Sequence, residues 1–492
     1  MNANTLLALA PAMVLSCVVV VELFVRLPFM AQVEAVTGGA LKAVGLVRSP
    51  RISDHWKERV LPVYAGRILK ASLSLAGLLL LCAMAFVIVW VLAAWWPAGG
   101  GSAALASLSS LTVQLWLLGI GIGWALLRAR FGKKEQAASD YSPSSQMLHR
   151  LALANTGMRT LCDDIDRRLA GQRAANTPVE RPVYVTALAR AGTTVLLEVL
   201  HGSGRFASLT YRSMPFVMAP WTWGAVSKPR PVDPSALKER AHGDRLKVGV
   251  DSPEAFEEVF WNSYAERATR APDGLQPAGK PDEAVLERYR NFVQRILARD
   301  GKTNGARRYL SKNNNNLLRL PWLRTAFPDA VIVTPFRNPV DHVQSLMRQH
   351  ERFLERHAED PFSLEYMDWL GHHEFGAHFL PFKFGPDVVP RSADALLEPA
   401  YWFDYWAAVY RYLLAHHAGE VIWFDYDAFC DRPGDLLTRL EGELDLEAGA
   451  LSQQAGRISR SERPADLKIV AALTDDCREV HAQLRQHAFG AG

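Results

Sequence analysis

The sequence predicts an α/β fold: a central, mostly parallel sheet with flanking helices, preceded by three transmembrane helices. Three observations carry this. From Val183 onward, short β-branched runs (VYVTA, VIVTPF at 331–336, EVIWFDY at 420–426) alternate with longer helical patterns. That order builds parallel sheets. The first third of the chain holds most of its long apolar runs, and a polar, Ser-rich stretch at 135–147 (EQAASDYSPSSQM) follows it. Such composition marks a linker. The chain is thus expected to divide into a membrane domain over 1–134, a linker with a juxtamembrane helix over 135–180, and a cytoplasmic domain over 181–492.

Each apolar run can be justified separately. Thr5–Leu27, Ala71–Trp96 and Ala103–Leu127 each reach the roughly 20 apolar residues that a bilayer crossing takes. The first lacks a basic leader and a small-residue cleavage site, so it reads as a retained helix. Glu22 and Arg26 interrupt its end at a helical i, i+4 spacing and are expected to pair. Trp95 and Trp96 mark an interface at the end of the second run, and Gly119 and Gly123 offer close packing in the third. Between the first two runs lie Lys42, Arg48, Arg51, Lys57, Arg59, Arg67 and Lys70; Arg128, Arg130, Lys133 and Lys134 follow the third. The positive-inside rule then puts the N-terminus outside and the C-terminal part in the cytoplasm, the topology expected of a multi-pass protein of a bacterial inner membrane.

Composition excludes other classes. A formal net charge of +4 over 492 residues, with no Lys/Arg stripe interleaved with aromatics, argues against a nucleic-acid partner. The five cysteines (17, 82, 162, 430 and 477) are scattered without metal-like spacing, which fits reduced thiols. From Leu148 to Ala170, apolar residues recur at helical spacing (Leu151, Leu153, Met158, Leu161, Ile165, Leu169) and predict an amphipathic helix.

Two turns carry the chemistry. The first, TALARAGTT at 186–194, follows a strand and opens a helix, an arrangement that points backbone N–H groups at an anion. Ala187, Ala189, Ala191 and Gly192 keep the turn small. Thr193 and Thr194 add hydroxyls at the helix start, and Arg190 adds a permanent cation. An ordinary strand-to-helix turn with Thr capping the helix fits the same residues. The Lys that follows the second Gly of a triphosphate-binding loop is missing, as is an obvious Mg²⁺ carboxylate, so an ATP or GTP reading is weakened. The second turn lies in VIVTPFRNPVDHVQSLMRQH (331–350), where Arg337 ends a strand and Ser345 sits about two helical turns on. They can grip one phosphate from two sides; alternatively Arg337 pairs with Asp341 and Ser345 faces solvent.

Together, in this order and about 140 residues apart, the two turns resemble the sulfotransferase family. The first looks like its 5′-phosphosulfate loop and the second like its 3′-phosphate motif. The late segment VIWFDYDAFCDRPGDLL (421–437) is similar to the family's strand followed by Y-x-x-F/L-x-x-x-P. The resemblance covers roughly residues 180–465 and leaves the apolar runs outside it. It implies a fold like that of the P-loop nucleotide hydrolases and 3′-phosphoadenosine 5′-phosphosulfate as donor. That donor has no triphosphate, which explains the missing Lys, and no metal is expected. It further implies binding of the donor by Arg190, Ala191, Gly192, Thr193, Thr194, Arg337, Ser345 and Lys312. Lys312 resembles the second lysine that many members carry near the donor.

The acceptor implied is a hydroxyl on a glycan, lipid or small molecule, and the apolar runs make membrane lipids a second partner. Arg190 stands where the family often has Lys; with its very high pKa it stabilises charge and does not act as an acid. The hydroxyl needs a base. His242 is the first candidate, with Asp244 or Asp251 as orienter or rival and Glu198 as fallback. The run Asn313–Asn316 can line the donor site or form a plain polar loop, and His372, His373 and His378 suggest structural or substrate-side roles ahead of a metal. Two other readings remain open: a P-loop kinase, and a membrane protein that binds adenosine bisphosphate without catalysis.

Overall fold

A computed structural model of the chain describes residues 3–29, single positions between 32 and 46, and residues 54–98, 105–131, 141–227, 238–239, 247–300, 308–385, 388–390, 392–458, 464 and 466–488. Two compact units result, Met1–Gln136 and Ala137–Gly492.

The first unit is helical: α1 (Ala3–Arg26), α2 (Asp54–Ala98) and α3 (Leu111–Phe131). Leu9, Ala12, Met13, Trp90 and Val113 form its small apolar cluster. Glu22 and Arg26 pair at 3.0 Å, as their spacing predicts. Among the described residues one stretch is long and apolar enough to cross a membrane, His55–Ala93, with mean hydropathy 2.8 in its most apolar window; Ala8–Phe24 and Leu111–Gly121 are shorter apolar helices. The helix holding the second expected span begins at Asp54, well before Ala71, because Lys, Arg and Glu form helix as readily as the apolar residues that follow. The third begins at Leu111 and not at Ala103. Serines interrupt it: the Ser109 hydroxyl donates to Ala106 O at 2.7 Å, the local bond by which Ser competes with a helix ladder.

In the second unit the expected amphipathic helix is two helices, α4 (Pro143–Leu153) and α5 (Thr156–Ala175). The break falls at Asn155, whose side chain caps α5 by accepting from Gly157 N at 2.7 Å. Five strands follow: β1 (Val183–Val185), β2 (Phe206–Ala207), β3 (Arg308–Lys312), β4 (Val331–Phe336) and β5 (Ile422–Asp425). They form one sheet in the order β2-β3-β1-β4-β5, every pairing parallel. Tyr184, Tyr309, Ile332 and Trp423 enter one apolar core, and Val183, Val185, Leu310, Val333 and Phe424 the other. Both faces are therefore covered by helices, as short parallel strands require. These helices include α6 (Thr193–Gly202), α7 (Glu283–Asp300), α8 (Pro339–Glu359) and α9 (Pro399–His417). Val185 registers with Lys312 on one side and Val333 on the other, so the loops at the C-terminal ends of β1, β3 and β4 share one edge. Ligands of open parallel sheets bind at that edge.

Candidate active site

The first turn is built from backbone. Beyond β1, Thr186 N donates to Val333 O at 3.0 Å, after which the chain leaves the sheet. Ala187, Ala189 and Ala191 are buried, and Arg190 (φ 71°) and Gly192 (φ 100°) take positive φ. Gly192 starts α6 without a capping side chain. The first N–H groups of α6, which have no partner within the helix, therefore open toward whatever lies over the turn. Glycine is needed at 192 for a second reason: a Cβ there would stand 2.1 Å from Cδ2 of Tyr426, the residue following β5.

The second turn is built from side chains. Arg337 follows β4 with its guanidinium 5.5 Å from the centre of the Tyr426 ring. Its neighbouring carboxylates, Asp341 at 3.9 Å and Asp427 at 4.0 Å, lie beyond hydrogen-bond reach, and its Nε is buried with no hydrogen-bond partner among the described residues. Asp427 is turned instead to Asn338 N, which donates to it at 2.6 Å; burial raises its pKa, opposed by that bond and by Arg337. Ser345, on α8, is only 8% exposed and accepts from Arg190 Nε at 3.1 Å, so the two turns meet through this bond.

A histidine from the second turn holds the first. His342 is fully buried, with Trp406 of α9 donating to its Nδ1 at 3.0 Å. The proton of the neutral ring then sits on Nε2, which donates to Ala189 O at 2.7 Å. Burial first, and then the nearby Arg337 and Arg190, push its pKa down to about 3. It therefore works as a neutral strut, not as an acid or base at neutral pH.

A third group surrounds the end of β3. Lys312 is buried with Nζ 3.9 Å from Glu254 Oε1, and Glu254 also accepts from Tyr211 Oη at 3.0 Å and from Ala255 N at 2.9 Å. In the following Asn run every side-chain amide nitrogen donates within the fold, while Asn314 Oδ1 is buried with no partner among the described residues. Asn313 donates to Glu258, Asn314 to Glu374, Asn315 to Gly371 O and Asn316 to Glu257, at 2.7–3.1 Å. Glu374 faces His372 Nδ1 at 3.5 Å. Burial pushes its pKa up, but His372, Lys312 and Asn314 outweigh this and hold it below the usual carboxylate range.

The sequence-predicted residues Arg190, Ala191, Gly192, Thr193, Thr194, Arg337 and Ser345 lie at the ends of the adjacent strands β1 and β4, and Lys312 ends β3 on the other side of β1. His242 and Asp244 lie outside the described residues. Asp251 is held by Arg212 in a two-pronged pair at 2.6 Å, which ties it up structurally. Glu198 is half-buried on α6. His373 takes a 2.8 Å contact from Arg270 and His378 pairs with Asp368 at 2.7 Å; among the described residues no His, Cys, Asp and Glu group is placed to hold a metal. Sequence reasoning missed His342, Glu254, Glu374 and Tyr426. His342 and Tyr426 lie within the stretches that carry the motifs, but a buried strut and a ring over a glycine leave no periodic signal; Glu254 and Glu374 come from other segments.

A model described as the sulfotransferase family matches residues 182–380. Solved structures similar to the chain include a sulfotransferase from Mycobacterium tuberculosis H37Rv, 15% identical, covering 73% of this chain and 89% of that one with a TM-score of 0.38. Another is a sulfotransferase from Mycobacterium avium, 14% identical, covering 71% and 87% with a TM-score of 0.41. No curated protein matches.

Proposed function

Residues 182–380 form a sulfotransferase-family domain, and from that premise we propose that the chain moves a sulfuryl group from 3′-phosphoadenosine 5′-phosphosulfate to an acceptor hydroxyl. The observation that carries this reading is the buried Arg337 Nε without an acceptor, one strand from a turn of N–H groups and joined to it by Arg190 and Ser345. A buried guanidinium N–H left unpaired is costly, and a phosphate oxygen would satisfy it. In this reading Arg337 and Ser345 hold the 3′-phosphate, while Ala191–Thr194 and Lys312 hold the 5′-phosphosulfate.

The acceptor oxygen attacks sulfur as the bond from sulfur to the bridging phosphate oxygen breaks. The electron pair leaves with that oxygen, giving 3′,5′-adenosine bisphosphate and a sulfate ester. Arg190 and Lys312 stabilise the charge developing on the leaving oxygen and the sulfuryl oxygens. The hydroxyl proton passes to Glu254, the carboxylate beside Lys312; His242 is the rival base, and a pH–rate profile of Glu254→Gln beside His242→Ala separates them. We also read the N-terminal unit as a membrane anchor with three helices, its N-terminus outside and the catalytic unit in the cytoplasm, where the donor is made. A lipid-borne or glycan hydroxyl is then the acceptor closest at hand.

The test is a calorimetric titration of 3′,5′-adenosine bisphosphate into the full chain in detergent, without Mg²⁺. Wild type should bind tightly, and Arg337→Ala and Arg190→Ala should bind weakly. Failure to bind, with Mg²⁺-dependent ATP binding instead, would replace this reading with a P-loop kinase. Binding without turnover of any hydroxyl acceptor would leave a sensor of the nucleotide.

A further inference from the structure

Helix α5 is packed the wrong way round for a surface helix of a water-soluble domain. Its inner face carries a polar cluster, with Arg159, Asp163 and Asp166 buried and only the small Ala170 and Ala174 as buried apolar residues beyond it. Arg295 of α7, itself fully buried, donates to Asp166 Oδ2 at 2.6 Å and also to Asp163, and Arg288 reaches Asp163 at 3.4 Å. Thr222 N, at 2.7 Å, completes the shell of Asp166. The outer face is apolar: Leu161, Ile165 and Leu169, each one turn from the next, are 50%, 47% and 64% exposed. Amphipathic helices turn the other way when water is outside.

The exposure is concentrated. Of the twelve exposed large apolar side chains described in Ala137–Gly492, six lie between 147 and 169: Met147, Leu148 and Leu151 of α4, and the three of α5. Arg168 shares the strip's face, seven residues from Leu161, and Arg167 is exposed beside it. Asp164, the half-buried acid near the strip, is already engaged by Arg288 at 2.9 Å. The covering surface should therefore be apolar within and negatively charged at its rim.

We propose that the outer face of α5 seats on the anionic phospholipid surface of the membrane, resting the catalytic unit on the bilayer; this rests on the reading of the N-terminal unit as an anchor. Chain length allows it. Pro143, where α4 begins, follows the end of the apolar helix α3 at Phe131 by 12 residues, a reach of up to ~40 Å at ~3.5 Å per residue. A strip one side chain wide is too narrow for a stable protein interface, which takes roughly 800 Å² per partner. It suits an interfacial helix sunk about 5–10 Å into the headgroup and acyl boundary, with Arg168 and Arg167 at the phosphates.

The experiment uses the full chain in nanodiscs of equal parts phosphatidylcholine and phosphatidylglycerol, with Cys162 and Cys430 replaced by Ala. A fluorophore is placed on Ile165→Cys, with Leu80→Cys of α2 as the anchor control and Leu467→Cys as the aqueous one. Doxyl-labelled lipid should remove most of the fluorescence at 165 and 80 and leave 467 unchanged. Replacing phosphatidylglycerol by phosphatidylcholine, or Arg168 by Gln, should weaken the loss at 165 alone. Quenching at 80 by lipid but at 165 only by aqueous iodide would overturn the proposal while the anchor stands. Shielding of 165 from both quenchers would mean that protein covers the face, which also overturns it. No lipid quenching at 80 would overturn the anchor and the proposal together.

Discussion

The turn after Val185 and the turn after Phe336 leave adjacent strands of one sheet, yet they are built to hold an anion in different ways. The first offers backbone: small buried residues, two positive-φ positions and a helix N-terminus without a capping side chain. The second offers a side-chain cation, Arg337, kept out of hydrogen-bond reach of both nearby carboxylates, with Ser345 on the following helix. Backbone donors depend on the path of the chain, so the first turn should be sensitive to shape. Side-chain donors depend on the group presented, so the second should be sensitive to chemistry. The comparison can be broken by any substitution that reverses these sensitivities.

The largest effect is expected at Gly192. Alanine there must hold φ near 100° and displace the Tyr426 ring from 2.1 Å. The left-handed backbone alone costs roughly 1–2 kcal/mol, and relief of the clash moves the turn that the N–H groups depend on. Gly192→Ala should therefore abolish measurable turnover although no charge is removed. Pairing it with Tyr426→Ala should recover stability in urea melts more than activity. Full recovery of activity would show that only the ring, and not φ, fixes the turn.

Arg337→Ala should come next, weakening binding of the adenosine bisphosphate by about 10–100-fold, since hydrogen bonds to charged groups contribute ~1.5–3 kcal/mol. Arg337→Lys should recover little of this, because a point charge on a flexible stem does not reproduce the guanidinium fork. Recovery to wild-type affinity would make the second turn an electrostatic site without directional demands.

Much of this was legible in the sequence because it is periodic or local. The β-branched runs became β1, β4 and β5, and the two turns stand where the strand-to-helix transitions put them. Strand β2, with two residues, is too short to carry alternation, and its pairing to β3 is a tertiary fact. The direction in which α5 faces was not legible either. Its apolar residues make an amphipathic stripe, but which side is buried is decided by Arg295, more than 120 residues away in the chain. The same holds for the Asn run, whose partners Glu257, Glu258 and Glu374 come from distant segments.

A third expectation concerns the strut between the turns. His342 is held neutral in the fold with a pKa pushed down to about 3, by burial first and by the two arginines, whereas in the unfolded chain it titrates near ~6.5. The unfolded state therefore takes up a proton that the folded state refuses. Stability from this group is complete above pH ~6.5 and falls by about 1.4 kcal/mol per pH unit below it, until the folded pKa is reached. His350 and His373, both pushed down to about 4, act with the same sign. Urea unfolding at pH ~7.5 and ~5.5 should give a pH slope that His342→Gln lessens, by about 1.4 kcal/mol over the whole interval, and does not remove. An unchanged slope would mean that the ring is charged in the fold, and its role as acceptor from Trp406 would fail.

The smallest effect tests the join itself. Ser345 accepts from Arg190 and, in the proposed function, faces the same phosphate as Arg337. Removing one neutral hydroxyl should cost ~0.5–1.5 kcal/mol, a roughly 2–10-fold loss of donor affinity. The informative quantity is its coupling to Arg190. If the bond only orients Arg190, Ser345→Ala lowers kcat and adds little once Arg190→Ala is present. If the hydroxyl grips the phosphate independently, the two losses add in the titration of adenosine bisphosphate. Additive losses would make the turns separate sites that happen to touch; a coupling of about 0.5 kcal/mol or more would make them one.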